Sequence, residues 1–319
     1  LLAETLPMPV LSLVKPEASR NIACKWLVIL SLTALGSACQ RTGEAKPGHS
    51  TPARDSATPV IMTVNYPLLA MAQAITGDAL TVRLPKIPGD PAFWQPDTNT
   101  LIDYQQADRI LDNGAGYARW LSTISLPQHT RVDTSAGFRE QLIDIPGVRH
   151  SHGPGATHDH GLKAFTTWLD MELAAAQATA IRDALLSLPE SAADAPARSQ
   201  IGRGHADLQQ RLQGYHRRLQ AAGGQLQNVA LLYSHPVYQY LQRAYRLNGH
   251  ALHWEPDQRP TESQWQELAR TLKHHPAKLM LWEDEPLPET RERLETMGLT
   301  VLVFSPATNY PASGDYWSV

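Results

Sequence analysis

The chain has 319 residues, enough for two domains of ordinary size, and at 42% apolar and 18% charged its composition is that of a globular protein. With 28 basic residues against 31 acidic ones the net charge is −3, so no basic field marks a nucleic-acid partner.

The N-terminal region reads as a targeting segment. Lys15, Arg20 and Lys25 precede an apolar run at 26–35, too short to span a bilayer and suited to the apolar region of a signal peptide. Leu35-Gly36-Ser37-Ala38-Cys39 is similar to a bacterial lipobox, whose cysteine is lipidated after cleavage, although Gly36 stands where a leucine is usual. The expected signal peptide is 1–38, with the stretch that begins at Leu1 a doubtful extension. Cleavage there removes Cys24, so Cys39 has no intrachain disulfide partner even in an oxidising periplasm. A plain secretory signal cut nearby is the alternative.

Residues 39–59, rich in Pro, Gly, Ser and Thr, read as a disordered tether. From Val60 short apolar runs at 60–64, 80–84 and 109–111 alternate with helical stretches at 68–75 and 100–107. Such alternation predicts a parallel α/β sheet, here an N-terminal lobe over 60–194. A helix rich in Ala and Leu is expected over 166–188. Ile201, Leu208, Leu212, Tyr215 and Leu219 recur at helical spacing, which predicts a linking helix over 195–222 that stops at Gly223-Gly224. A second α/β series, 223–319, shows strands at 229–233, 278–282 and 300–304 and helices at 237–247 and 261–273. The fold class is therefore α/β, with two Rossmann-like lobes of parallel sheet joined by one long helix. The sequence stops at the entry to what reads as another helix, so a truncated C-terminal lobe is expected.

Two features point to chemistry. Between Arg149 and Gly161, His150, His152, His158 and His160 fall within eleven residues interspersed with Gly and Pro. Imidazole is the commonest ligand for zinc-like metals, so this loop is a candidate site for a divalent ion; a solvated loop is the alternative. Ligands of parallel sheets bind beyond the carboxyl ends of strands. That rule selects Asn65-Tyr66-Pro67, Asn113-Gly114-Ala115-Gly116, Ser234-His235-Pro236 and Ser305-Pro306, with His235 the best single candidate for a ligand. Glu283, Asp284 and Glu285 read as a solvated acidic loop, and His250, His253 and His274-His275 as exposed loop histidines.

From Val60 to Val319 these segments resemble the zinc and manganese solute-binding proteins of ABC importers, the ZnuA/TroA cluster. The resemblance rests on Asn65-Tyr66-Pro67, on Gly89-Asp90-Pro91 with Trp94 and Pro96, and on Asn113-Gly114-Ala115-Gly116 before Trp120-Leu121. It continues through a His-rich tract ahead of Trp168-Leu169-Asp170, then Tyr233-Ser234-His235 and Glu283. It implies two lobes bridged by a helix, a metal such as Zn2+ held between them, delivery to an ABC permease of the inner membrane, and no enzymatic activity. Lipid anchoring at Cys39, in the periplasm or cell envelope, agrees with it, and a monomer is expected.

The departures from the pattern imply a degenerate cleft site. Where the family has its histidines and its aspartate, this chain has Ala92, Thr166 and Ser305, and of that set only His235 remains. One imidazole with neutral hydroxyls cannot hold zinc as a His/carboxylate site does. The histidine tract, with His235 folded against it, is then the expected metal element. Alternatively, the cleft takes an organic ligand or a metal complex, lined by Trp94, Tyr117, Trp168, Glu283 and Ser305, or the protein is a metal buffer without a transport role. No nucleophile elbow, phosphate loop or HExxH motif is present.

Overall fold

Two strand–helix series make up the described residues (58–127, 129–145, 162–311 and 316–317) of the computed structural model. The first comprises β1 (Val60–Thr63), α1 (Tyr66–Thr76), β2 (Thr81–Arg83), α2 (Thr98–Gln105), β3 (Arg109–Asp112) and β4 (Arg131–Asp133). A small antiparallel pair follows, β5 (Asp144–Ile145) with β6 (Leu162–Lys163), and then α3 (Met171–Leu186) and α4 (Ala195–Leu226). The second series is β7 (Ala230–Tyr233), α5 (Gln239–Tyr245), β8 (Asn248–Ala251), α6 (Glu262–His274), β9 (Leu279–Trp282), α7 (Pro288–Thr296) and β10 (Thr300–Val303).

Each series forms a parallel four-stranded sheet, ordered β2-β1-β3-β4 and β10-β9-β7-β8. The topology is the same twice: the first strand has the second on one side and the third, then the fourth, on the other. This is the expected α/β architecture of two parallel sheets joined by a long helix. In both sheets the order reverses beside the first strand, which opens a crevice at its carboxyl end.

Local sequence sets the helix starts. Asn65 accepts from Leu68 N at 3.0 Å, with Pro67 in the first turn of α1. Asp194 caps α4 in the same way, and Thr261 with Gln264 forms a capping box on α6. The helix expected from 166 begins only at Met171. Thr167–Leu169 make a 3-10 turn instead, and Asp170 caps α3 by accepting from Glu172 N.

At its other end α4 overruns its expected stop and continues through Gly223-Gly224 to Leu226. Packing explains this. A Cβ on Gly223 would stand 2.4 Å from the carbonyl oxygen of Tyr245 at the end of α5, and one on Gly204 would stand 2.3 Å from that of Ile75 in α1. These two glycines are the close contacts of α4 with the first series and with the second. They are required by tertiary approach, which overrides their poor helix propensity. A buried apolar cluster runs around α4 from Ile61, Leu68 and Ile110 through Ile201, Leu208 and Leu212 to Leu231, Tyr238 and Tyr245. A second cluster backs the C-terminal sheet with Trp254, Trp265, Met280, Trp282 and Leu294.

Substitution of the two kinds of glycine in α4 should have opposite signs. Gly204→Ala forces Cβ onto a backbone oxygen and destabilises by about 1–3 kcal/mol. Gly214→Ala, with nothing within 4 Å of its Cβ, stabilises by up to about 1 kcal/mol. Denaturant midpoints measure both, and equal shifts for the two would contradict the packing account.

Candidate functional site

The register of the C-terminal sheet decides which side chains meet at its carboxyl end. Tyr233 pairs with Leu281 of β9 and with Ala251 of β8. Two residues beyond these lie His235, Glu283 and His253, which therefore leave the sheet at one level. The pairing continues past the strand ends: Ser234 N donates to Leu281 O at 2.9 Å, Leu252 N to Tyr233 O at 2.9 Å, and Trp254 N to Ser234 O at 2.8 Å. Trp254 is buried between exposed His253 and Glu255, so strand-like alternation turns its two neighbours to the opposite face.

One nitrogen of His235 and one oxygen each of Glu255 and Glu283 lie within 4.8 Å of one another. Donors about 2.0–2.2 Å from a common ion stand at most about 4.4 Å apart, so small side-chain adjustments would place these three around one cation. His235 Nδ1 is 3.4 Å from Glu255 Oε1 yet forms no hydrogen bond. The His253 ring stands edge-on to His235 with centroids 6.0 Å apart.

The electrostatics are those of negative charge without a counter-ion. Burial, then Glu255, Asp90 and Asp284, push the Glu283 carboxyl up to about 7 from its ordinary 4.5. Burial holds His235 below the usual histidine range, outweighing the opposite pull of Glu255 and Asp90. It is therefore neutral at pH 7, with a lone pair free to bind metal. Asp90 comes from the loop after β2. Residue 90 is exposed overall, but its carboxyl is partly desolvated and raised for that reason, against the hydrogen bond from Ala92 N at 2.8 Å.

The residues expected to form the site are sorted into four groups. His235 lies in the cluster. Glu283, expected only as cleft lining in a solvated loop, is half-buried and belongs to the cluster too, while Asp284 and Glu285 are exposed and Glu285 pairs with Arg291 at 2.6 Å. Trp168 and Ser305 line a separate cavity of about 470 Å³ between α4 and the segment after β10, with Tyr215 and Phe304. Tyr117 is buried edge-on against Trp168, and Trp94 leans on Trp120. His150, His152, His158, His160, Cys39 and the tether up to residue 57 lie outside the described residues.

Ala92, Thr166 and Ser305, which the sequence reading set at the family's ligand positions, have structural work. Ala92 is buried in the main apolar cluster, Thr166 donates to Val237 O at 2.6 Å, and Ser305 accepts from Ala307 N at 3.1 Å. Asn65 and Asn113, also picked out as strand-end residues, are fully buried in an amide network. Asn65 Nδ2 donates to Asn113 Oδ1 at 3.5 Å and Gln177 Nε2 to the same oxygen at 3.2 Å. The crevice of the N-terminal sheet is thus closed by hydrogen bonds, whereas that of the C-terminal sheet holds unneutralised donors. Glu255 escaped the sequence reading because β8, Asn-Gly-His-Ala, carries no β-branched residue to signal a strand.

The family described as zinc-uptake complex component A, periplasmic (ZnuA), matches residues 61–319. The chain belongs to this family. Its members are binding components of uptake complexes and not enzymes. Among solved structures the fold is similar to the metal-dependent lipoprotein YcdH of Bacillus subtilis, at 17% identity and TM-score 0.66, covering 80% of this chain and 90% of that one. It is also similar to the Zn(II)-bound ZnuA-like domain of AdcA from Streptococcus pneumoniae (19%, 0.65, 82% and 94%). The laminin-binding protein Lmb of Streptococcus agalactiae is a third (18%, 0.66, 82% and 94%). None of the curated protein sequences matches the chain.

Because the folded state favours the neutral form of Glu283, that group's contribution to stability is full below pH 4.5 and is lost as pH rises through about 7. Without metal, the melting temperature of Glu283→Gln should therefore fall less than the parent's between pH 5 and 8. Parallel curves for the two proteins would contradict the raised carboxyl.

Proposed function

We propose that this chain is the substrate-binding component of an ABC importer for a divalent metal, and that the metal is cargo held by His235, Glu255 and Glu283. One observation carries the reading: three donors of metal-binding type meet at the carboxyl ends of parallel strands, in a member of a zinc-uptake family. Glu255 and Glu283 supply the carboxylates that Ala92, Thr166 and Ser305 do not. The cleft is then rebuilt from the C-terminal sheet, not abandoned. His150, His152, His158 and His160 become accessory gatherers that raise the local metal concentration. A lipid anchor at Cys39 would keep a monomer at the cell envelope, where the permease collects the ion. Among the described residues no helix is long and apolar enough to cross a membrane.

The zinc-bound relative AdcA supports zinc as one cargo. Calorimetric titration of the full chain with Zn2+ tests the site. Loss of a ligand should cost more than the roughly 10–100-fold typical of an outer-sphere partner, so His235→Ala and Glu283→Gln each weaken one binding event by at least about that factor. Binding should tighten from pH 6 to 8 as Glu283 loses its proton near 7. Unchanged affinity in both variants would contradict the assignment, as would affinity lost only when His158 and His160 are removed.

A further inference from the structure

The cavity between α4 and the segment after β10 belongs to neither sheet's crevice. Its volume of about 470 Å³ is that of a small-molecule pocket, and Trp168, Leu212, Tyr215, Leu219 and Phe304 line it. The one polar side-chain atom of Trp168 is satisfied, Nε1 donating to Pro306 O at 2.7 Å, so the indole serves as an apolar wall. Apolar surface also reaches solvent here, with Val303 44% exposed and Phe304 37% exposed. Water in such a space finds few polar partners, which favours an apolar occupant.

Beside the cavity the surface changes character. Arg211, Arg217 and Arg218, all exposed, border a shallow depression on α4 that shares Tyr215, Arg218 and Trp317 with the cavity. Two of the guanidiniums are stacked on rings. Arg218 Cζ lies 4.6 Å from the Tyr215 ring centroid, and Arg211 Cζ lies 4.9 Å from that of Trp317. The rings themselves are nearly parallel, at 15° with centroids 6.5 Å apart, and the Tyr215 hydroxyl donates to Trp317 O at 3.1 Å. Stacking occupies the face of a guanidinium and leaves its in-plane N–H donors available. Among the described residues none of the three arginines forms an ion pair, and no Asp or Glu lines either space.

The geometry points to a second binding site, for a single-chain amphiphilic carboxylate of the fatty-acid class, with its chain in the cavity and its head group among Arg211, Arg217 and Arg218. Each part of this occupant answers an observed feature. The apolar walls favour burial of methylene groups. A planar carboxylate matches the fork of guanidinium donors, whereas an ammonium head would be repelled. A neutral alcohol could fill the cavity but would leave the arginines without a counter-ion. The His235 cluster takes no part, so this site and the metal reading stand or fall separately.

Calorimetric titration of the full chain with decanoate tests the site, beside 1-decanol and decyltrimethylammonium as controls of equal chain length. A diazirine-bearing decanoate locates the bound chain by photolabelling. One decanoate should bind here at least about fivefold more tightly than either control, as expected for a hydrogen bond to a charged group. The double variant Arg211→Gln with Arg218→Gln should weaken decanoate by a similar factor and leave decanol unchanged. Ala222→Trp, at an exposed position that lines the cavity, should exclude decanoate by filling its space. The label should fall on 211–222 and 303–307. Equal affinity for decanol or for the ammonium would overturn the anionic class. Label confined to other segments, such as the apolar run at 26–35, or unchanged binding in Ala222→Trp, would overturn the site.

Discussion

The register of one parallel sheet is the constraint on which the site depends. His235 and Glu283 share a level only because Tyr233 pairs with Leu281, and His253 joins them only because Tyr233 also pairs with Ala251. A slip of one residue in β8 or β9 would turn each side chain to the opposite face and dissolve the cluster. The register is protected by burial behind the strands, where Trp254 packs on Trp265 and Trp282 with centroids 4.8 and 6.2 Å apart. The apolar back of the sheet therefore determines the chemistry at its carboxyl end.

The two sheets have the same topology but use their crevices differently. In the N-terminal sheet, amide side chains bond one another and the crevice becomes part of the core. In the C-terminal sheet the corresponding space gathers acids around an imidazole. Connections between the halves run along α4, through contacts that admit only glycine, and through a strap. In that strap Pro306 O accepts from Trp168 Nε1 at 2.7 Å and Phe304 O from the Tyr238 hydroxyl at 2.6 Å. Thr166 belongs to the same framework, donating to the carbonyl of Val237, two residues beyond His235.

Much of the fold was legible in the sequence because it is written in strong local signals. The apolar runs of β1, β3, β7, β9 and β10, the caps at Asn65, Asp194 and Thr261, and the stripe on α4 each state their element. The end of α4 was misjudged because Gly223-Gly224 is a stop signal locally and a packing device tertiarily. Strands β4 and β8 were missed, being short and poor in β-branched and aromatic residues, and helix α7 because Leu294 alone gives it no apolar stripe. At the site, His235 was visible as a histidine following a strand. The role of Glu283 was hidden among neighbouring acids, and that of Glu255 depended on a strand the sequence did not announce. Which acids would meet the imidazole was a question of register, a long-range property that no local pattern contains.

The most direct measurement is anomalous X-ray scattering from crystals of the protein grown with a divalent cation. The account predicts a strong anomalous peak in contact with His235, Glu255 and Glu283 at the carboxyl end of the C-terminal sheet. No peak at that position, with scattering confined to the histidines of 149–161 or absent altogether, would contradict it.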